Sequence, residues 1–191
     1  MVYENKLPSG YTAETVSLGK DKKLTLGIYG GSVLIAALAV ILAAVSKNIG
    51  LLFDTSGIFS LIVRLVLVII IIVLSILAQE LIKCALIGKL TGKPARLVRG
   101  KMSAYVEYKC WLDRRGYLLI SLAPAAAICL VSLLLAFILP DGVFWQCYCV
   151  FVVNLAGMSA DAYIAFRLLR LKGNPLAKNE GYDTLIAVEN K

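Results

Sequence analysis

The chain has 191 residues, 60% of them hydrophobic, a formal net charge of +8 and a mean hydropathy of +0.83. Ordinary globular domains are about 45–50% apolar, so this excess points away from a water-solvated fold and towards a bilayer. The basic residues lie between and beside the apolar runs rather than in one patch. That placement speaks against nucleic acid and for topology signals at a headgroup surface.

In chain order, residues 1–23 read as a cytoplasmic tail, with Pro8, Gly10, Gly19 and the run Lys20-Asp21-Lys22-Lys23. The tail is too long and too acidic for the leading region of a cleaved signal peptide, so the first span is expected to be a retained anchor. A helix needs roughly 20 mostly apolar residues to cross a hydrocarbon core, and residues 24–46 supply them between Lys23 and Lys47. A short polar connection with Asn48, Gly50, Asp54 and Gly57 follows. The second span is predicted over 58–87, with Arg64 as a snorkelling boundary residue and Gly88 as a helix stop. Residues 89–116 form the main polar segment, in which 96–99 and 104–108 are expected to pair as short strands turning around Gly100.

The third span is predicted over 117–139 and the fourth over 143–168, separated by the turn signal Pro140-Asp141-Gly142. A second cytoplasmic tail covers 170–191. The predicted fold is therefore an all-α membrane domain over 24–169, with one short β-hairpin between its second and third helices. Trp111, Trp145, Tyr105, Tyr108 and Tyr117 are expected at the membrane interface. The cysteines, at 84, 110, 129, 147 and 149, offer no paired C-x-x-C spacing for a closed metal site, and disulfides are not expected.

Positive charge sets the expected orientation. Lys89, Lys93, Arg96, Arg99, Lys101, Lys109, Arg114 and Arg115 lie between the second and third spans, with Lys83 just inside the end of the second, whereas the first connection holds only Lys47. Both tails are basic as well. The positive-inside rule then places both termini and the long loop in the cytoplasm of a cell-membrane protein, which four spans satisfy together.

Two groups of polar residues interrupt the spans, where each charge costs at least about 2.5–3.5 kcal/mol and so calls for a partner or a role. Gln79, Glu80 and Lys83 share one helix face through spacings of three and four. Asn154, Gly157 and Asp161 do the same on the last span, with the glycine expected to let helices approach closely. At about 1.5 Å per residue, Glu80 lies about 12 Å inside the end of its helix and Asp161 about 10 Å from the end of its own. The two groups are expected to meet at one depth, if only as a polar tie between packed helices.

This order of features resembles the zincin peptidase family of unknown function, small membrane proteins similar to site-2 proteases. The resemblance covers roughly residues 57–185 and includes YLLISLAP from Tyr117 to Pro124 and NLAGMSAD from Asn154 to Asp161. Members with an intact site carry HExxH on the second-span helix, whose two histidines bind zinc while the glutamate serves as general base. In site-2-like enzymes an aspartate on a later helix is the third ligand. Carried over, the histidine positions are Gln79 and Lys83, the glutamate is Glu80 and the aspartate is Asp161. The chain contains no histidine at all, so the resemblance implies a degenerate site without zinc or other cofactor. Lys83 is expected to take the place of the metal charge, pairing with Asp161 or Glu80.

The leading expectation is a non-catalytic scaffold or regulator that binds another membrane protein or an extended peptide along the hairpin. One alternative is a peptidase or other enzyme with a non-standard site, Glu80 and Asp161 acting as ligands or as acid and base. Another is an accessory subunit of a transporter, with Glu80, Lys83 and Asp161 as a polar relay.

Overall fold

The computed structural model describes residues 2–3, 7–17, 21–53, 57–92, 95–99, 104–108, 110–180 and 183–189. In chain order these form β1 (Val2–Tyr3), β2 (Tyr11–Ser17), α1 (Lys22–Ser46), α2 (Gly50–Phe53), α3 (Ile58–Thr91), β3 (Arg96–Arg99), β4 (Ala104–Glu107) and β5 (Trp111–Asp113). They continue with α4 (Arg114–Ile138), α5 (Asp141–Gly157), α6 (Ser159–Arg170), β6 (Leu176–Glu180) and β7 (Asp183–Glu189). Helices α1, α3 and α4 are each long and apolar enough to cross a membrane, and α5 with α6 make a fourth candidate if the broken pair is one span. This marks the chain as a membrane protein.

The helix ends follow local chemistry. Asp21 caps α1, its Oδ1 accepting the N–H groups of Lys23 and Leu24 at 3.1 Å each. α3 does not stop at Gly88 but runs on to Thr91, where Gly92 takes φ +66° and ends it. Its N–H donates to the Gly88 carbonyl at 3.0 Å. α4 contains Pro124, which a span tolerates where neighbouring groups satisfy the freed carbonyl. The expected fourth span is broken at Met158, so its last part starts a new helix.

Two compact units divide the chain. The first comprises residues 30–79 and 125–159. Its core is Ala43, Ala136, Phe144, Trp145, Tyr148 and Val152. Phe144 stacks on Tyr148 with centroids 5.3 Å apart, and Tyr148 donates to the Ala39 carbonyl at 2.8 Å. Trp145 donates to the Asn48 carbonyl at 2.9 Å, so it is a buried tie rather than an interface anchor. The α3 residues of this unit present Ile69, Ile70, Val73 and Leu74 outward, as a lipid-facing helix does.

The second unit comprises residues 1–29, 80–124 and 160–191, and here the all-α expectation fails. A five-stranded antiparallel sheet runs in the order β1-β5-β6-β7-β2. The expected tails are therefore strands: β2 pairs with β7 from Tyr11↔Glu189 to Ser17↔Asp183, and β6 pairs with β5 and β7. β3 and β4 form a separate two-stranded ladder, with Leu97 opposite Val106. The turn around Gly100 lies outside the described residues.

The core of this unit joins the sheet to the helices. It combines Val16, Ile186 and Ala177 with Ile87, Ile120, Ile164 and Leu168. Tyr108, Tyr117 and Trp111 are buried in this unit instead of lying at a membrane surface. Burial of that apolar area holds the terminal strands in place, at roughly 25 cal/mol per Å².

Candidate functional site

Glu80 and Lys83 lie one turn apart on α3, within the sheet-bearing unit. Lys83 Nζ is 3.0 Å from Glu80 Oε1 and donates to Asp161 Oδ2 at 3.1 Å. The three side chains are 12% (Glu80), 16% (Lys83) and 27% (Asp161) exposed, so the ammonium bridges two carboxylates in a mostly dry setting. The break at Met158 bears on Asp161, because it puts that residue in the first turn of α6 and not within a continuous helix. A helix N-terminus favours negative charge, which lowers the cost of holding the carboxylate there.

Two tyrosines border this cluster that the sequence had assigned to the interface. Tyr117 is wholly buried, its hydroxyl lacks a well-formed hydrogen bond, and its polar neighbours are Ser121 and Thr184. Tyr108 lies outside the spans, and burial pushes its phenol well above the ordinary range, with Tyr117, Cys110 and the Asp161 charge adding to the effect. Tyr117 lies within the YLLISLAP stretch, but nothing local marked it as buried beside a carboxylate. Thr184 lies in a strand read as tail, so no spacing could have found it.

The other polar residues form a separate network in the first unit. Gln79 donates to Asn154 Oδ1, and Asn154 Nδ2 donates to Ser75 Oγ at 2.9 Å and to the Val150 carbonyl at 2.7 Å. Ser75, one turn before Gln79, is the member that sequence reasoning missed. The network satisfies the amide groups of a residue only 2% exposed, as a membrane interior demands. Gly157 takes no part in it. It is exposed, and a Cβ there would meet nothing within 4 Å, so the close helix approach expected at this glycine is not made.

The donor set does not suit zinc. Zinc takes thiolate, imidazole or carboxylate ligands, usually four in a structural site and three plus water in a catalytic one. Here a protonated amine, which has no lone pair to give, stands between the only two carboxylates of the cluster. No group of three or more His, Cys, Asp or Glu that could hold a metal occurs among the described residues, and the sequence contains no histidine. The five cysteines are free thiols.

α3 thus carries Q-E-x-x-K, α4 carries L-x-P, and the run from α5 into α6 carries N-x-x-G-x-x-x-D. Residues 70–174 match the family described as "Putative zincin peptidase", and the chain belongs to that family. No curated protein matches it, and no solved structure does. The matched stretch contains Gln79, Glu80, Lys83, Asn154 and Asp161, whereas β1, β2, β6 and β7 fall outside it.

Proposed function

We propose that this protein is a non-hydrolytic member of its family, related to site-2 proteases, that acts in the cell membrane as a scaffold or regulator of other membrane proteins. The observation that carries this reading is the Lys83 ammonium held between Glu80 and Asp161. A general base must be free to take a proton from water near a Lewis acid, whereas Glu80 is engaged by a cation that offers no ligand. Elemental analysis of the protein purified from native membranes tests the reading. The expected result is substoichiometric zinc with no cleavage of membrane-embedded peptide substrates. One zinc per chain, lost in Glu80→Gln or Asp161→Asn, would overturn it.

The same reading takes the molecule as four spans with both termini in the cytoplasm. The sheet supports this, since its strands come from before α1, from between α3 and α4, and from after α6. Strands of one sheet lie on one side of a membrane, so an even number of crossings separates each pair of segments. Lys22, Lys23, Lys89, Arg114, Arg115, Arg167 and Arg170 flank the helix ends of that unit, which supports a cytoplasmic side for it by the positive-inside rule. The partner would be another membrane protein or an extended peptide, and β3 and β4 offer it the edges of a two-stranded ladder.

A further inference from the structure

The charge of the chain is unevenly divided. Lys47, Arg64, Asp54 and Asp141 are the only charged side chains of residues 30–79 and 125–159, so the net charge of +8 resides wholly in the sheet-bearing unit. Within that unit the start of α4 is tied to the end of α6, because the Arg114 guanidinium donates to the carbonyls of Leu171 at 2.7 Å and Gly173 at 3.3 Å. Gly173 takes φ +77° just past α6, so the cations beside this tie project from a fixed turn.

Three of those cations are exposed: Arg115 on α4, Arg170 at the last position of α6, and Lys172 just beyond it. None has a carboxylate within ion-pair distance among the described residues, whereas Arg167 is held by Glu14. The Arg170 guanidinium carbon lies 4.2 Å from the centre of the Phe166 ring, which fixes the cation and leaves its N–H edge for an oxyanion. On both helices exposed apolar side chains lie about one turn in from the cations, Leu119 after Arg115 and Phe166 with Leu169 before Arg170. α4 follows strand β5 and α6 leads to strand β6, so the order from the sheet is the same on each: cation first, then exposed apolar residue.

We propose that these joined helix ends bind one anionic phospholipid, its headgroup phosphate on Arg170 and Lys172 with Arg115 as the next cation along, and its acyl chains on Phe166, Leu169 and Leu119. Basic side chains beside an apolar surface suit both parts of such a lipid. An acidic peptide would satisfy the cations and leave Phe166 and Leu169 unmatched. Topology alone calls for basic residues near helix ends, but not for a guanidinium stacked on an exposed ring or for two helix ends bound together by Arg114. The site shares no residue with Glu80, Lys83 and Asp161, and it requires only a chain seated in a membrane, whether or not the protein hydrolyses anything.

Full-length protein in a neutral maltoside micelle is titrated with dioleoyl phosphatidylglycerol or dioleoyl phosphatidylcholine, with bound lipid counted by native mass spectrometry and the melting temperature followed in parallel. The expected result is one retained phosphatidylglycerol per chain, bound about ten-fold tighter than phosphatidylcholine or more, the order that two surface cations supply. The melting temperature should rise with phosphatidylglycerol alone. Arg170→Gln with Lys172→Gln should remove the preference, Arg170→Lys with Lys172→Arg should keep most of it, and Phe166→Ser should weaken both lipids. Lys22→Gln with Lys23→Gln, an equal loss of charge at the start of α1, should leave the preference intact. Equal retention of the two lipids by the wild type would overturn the proposal, and that comparison needs no variant to fold. An equal loss from the Lys22 and Lys23 changes would overturn it too, since total charge and not this site would then govern binding. So would the same stabilisation by inorganic phosphate alone, which would assign the cations to a free anion. A glutamate-rich peptide that binds more tightly than phosphatidylglycerol would give the face to a protein partner instead, with the same consequence.

Discussion

Asn154 and Gly157 are three residues apart in the sequence but differ completely in what they touch. Asn154 satisfies its amide through Gln79, Ser75 and the Val150 carbonyl, and interhelical hydrogen bonds of this kind contribute about 0.6–1.7 kcal/mol in membranes. Asn154→Leu should lower thermal stability in micelles by about that amount, and an unchanged melting curve would remove the network from the account. Gly157→Ala should be neutral or stabilising by up to about 1 kcal/mol, because alanine is the better helix former and its Cβ meets nothing. Tyr108 belongs at this scale too. Burial holds its phenol proton in the folded state well beyond the ordinary value of 10.0, whereas the unfolded chain releases it near that pH. The unfolded state then binds fewer protons, so the contribution to stability is complete below pH 10 and falls as pH rises past it. Melting temperatures measured from pH 8 to 11 should decline towards the alkaline end, and less steeply in Tyr108→Phe.

At the scale of elements, the helices were legible because continuous apolar runs of 20 or more residues have no other common reading. Their ends were less so: Gly88 carries the residue type of a stop, but the left-handed conformation falls at Gly92. The break at Met158 had no proline or positive-φ glycine to announce it. The sheet was missed for a different reason. β2 reads Tyr-Thr-Ala-Glu-Thr-Val-Ser and is mostly exposed, so its alternation is weak, and its pairing partner β7 lies at the other end of the chain. β7 did carry a signal in Thr184-Leu185-Ile186-Ala187-Val188, a β-prone run bounded by polar residues. The Glu80–Lys83 spacing was readable from one helix, whereas Asp161, 78 positions from Lys83, entered through its own polar group on the last span and the matched depth of the two groups, with the family resemblance adding to it. If terminal strands are integral to the core, Ile186→Ala should cost about 2–5 kcal/mol, as large-to-small changes in packed interiors do. By contrast Arg167→Ala, which breaks a partly exposed pair with Glu14, should cost no more than about 1 kcal/mol. Equal losses from the two changes would mean that β7 is not packed as described.

At the scale of the molecule, one sheet gathers the segment before α1, the loop between α3 and α4, and the segment after α6. A mobile-tail arrangement would leave those segments independent, but here residues from all three share cores with the helices that carry Glu80, Lys83 and Asp161. Reporter fusions after Lys191, within the loop near Lys101, and ahead of Met1 should all read the same side of the membrane, and a split result would rule out the four-span topology. The central claim concerns the Lys83 charge held between Glu80 and Asp161. It is tested most directly by the unfolding of wild type, Lys83→Ala, Asp161→Asn and the double variant in one micelle. Lys83→Ala alone leaves two buried carboxylates uncompensated and should be clearly destabilised, whereas adding Asp161→Asn should restore stability, with a coupling energy of about 0.5–3 kcal/mol. Unchanged stability in Lys83→Ala, or simply additive losses in the double variant, would contradict the claim.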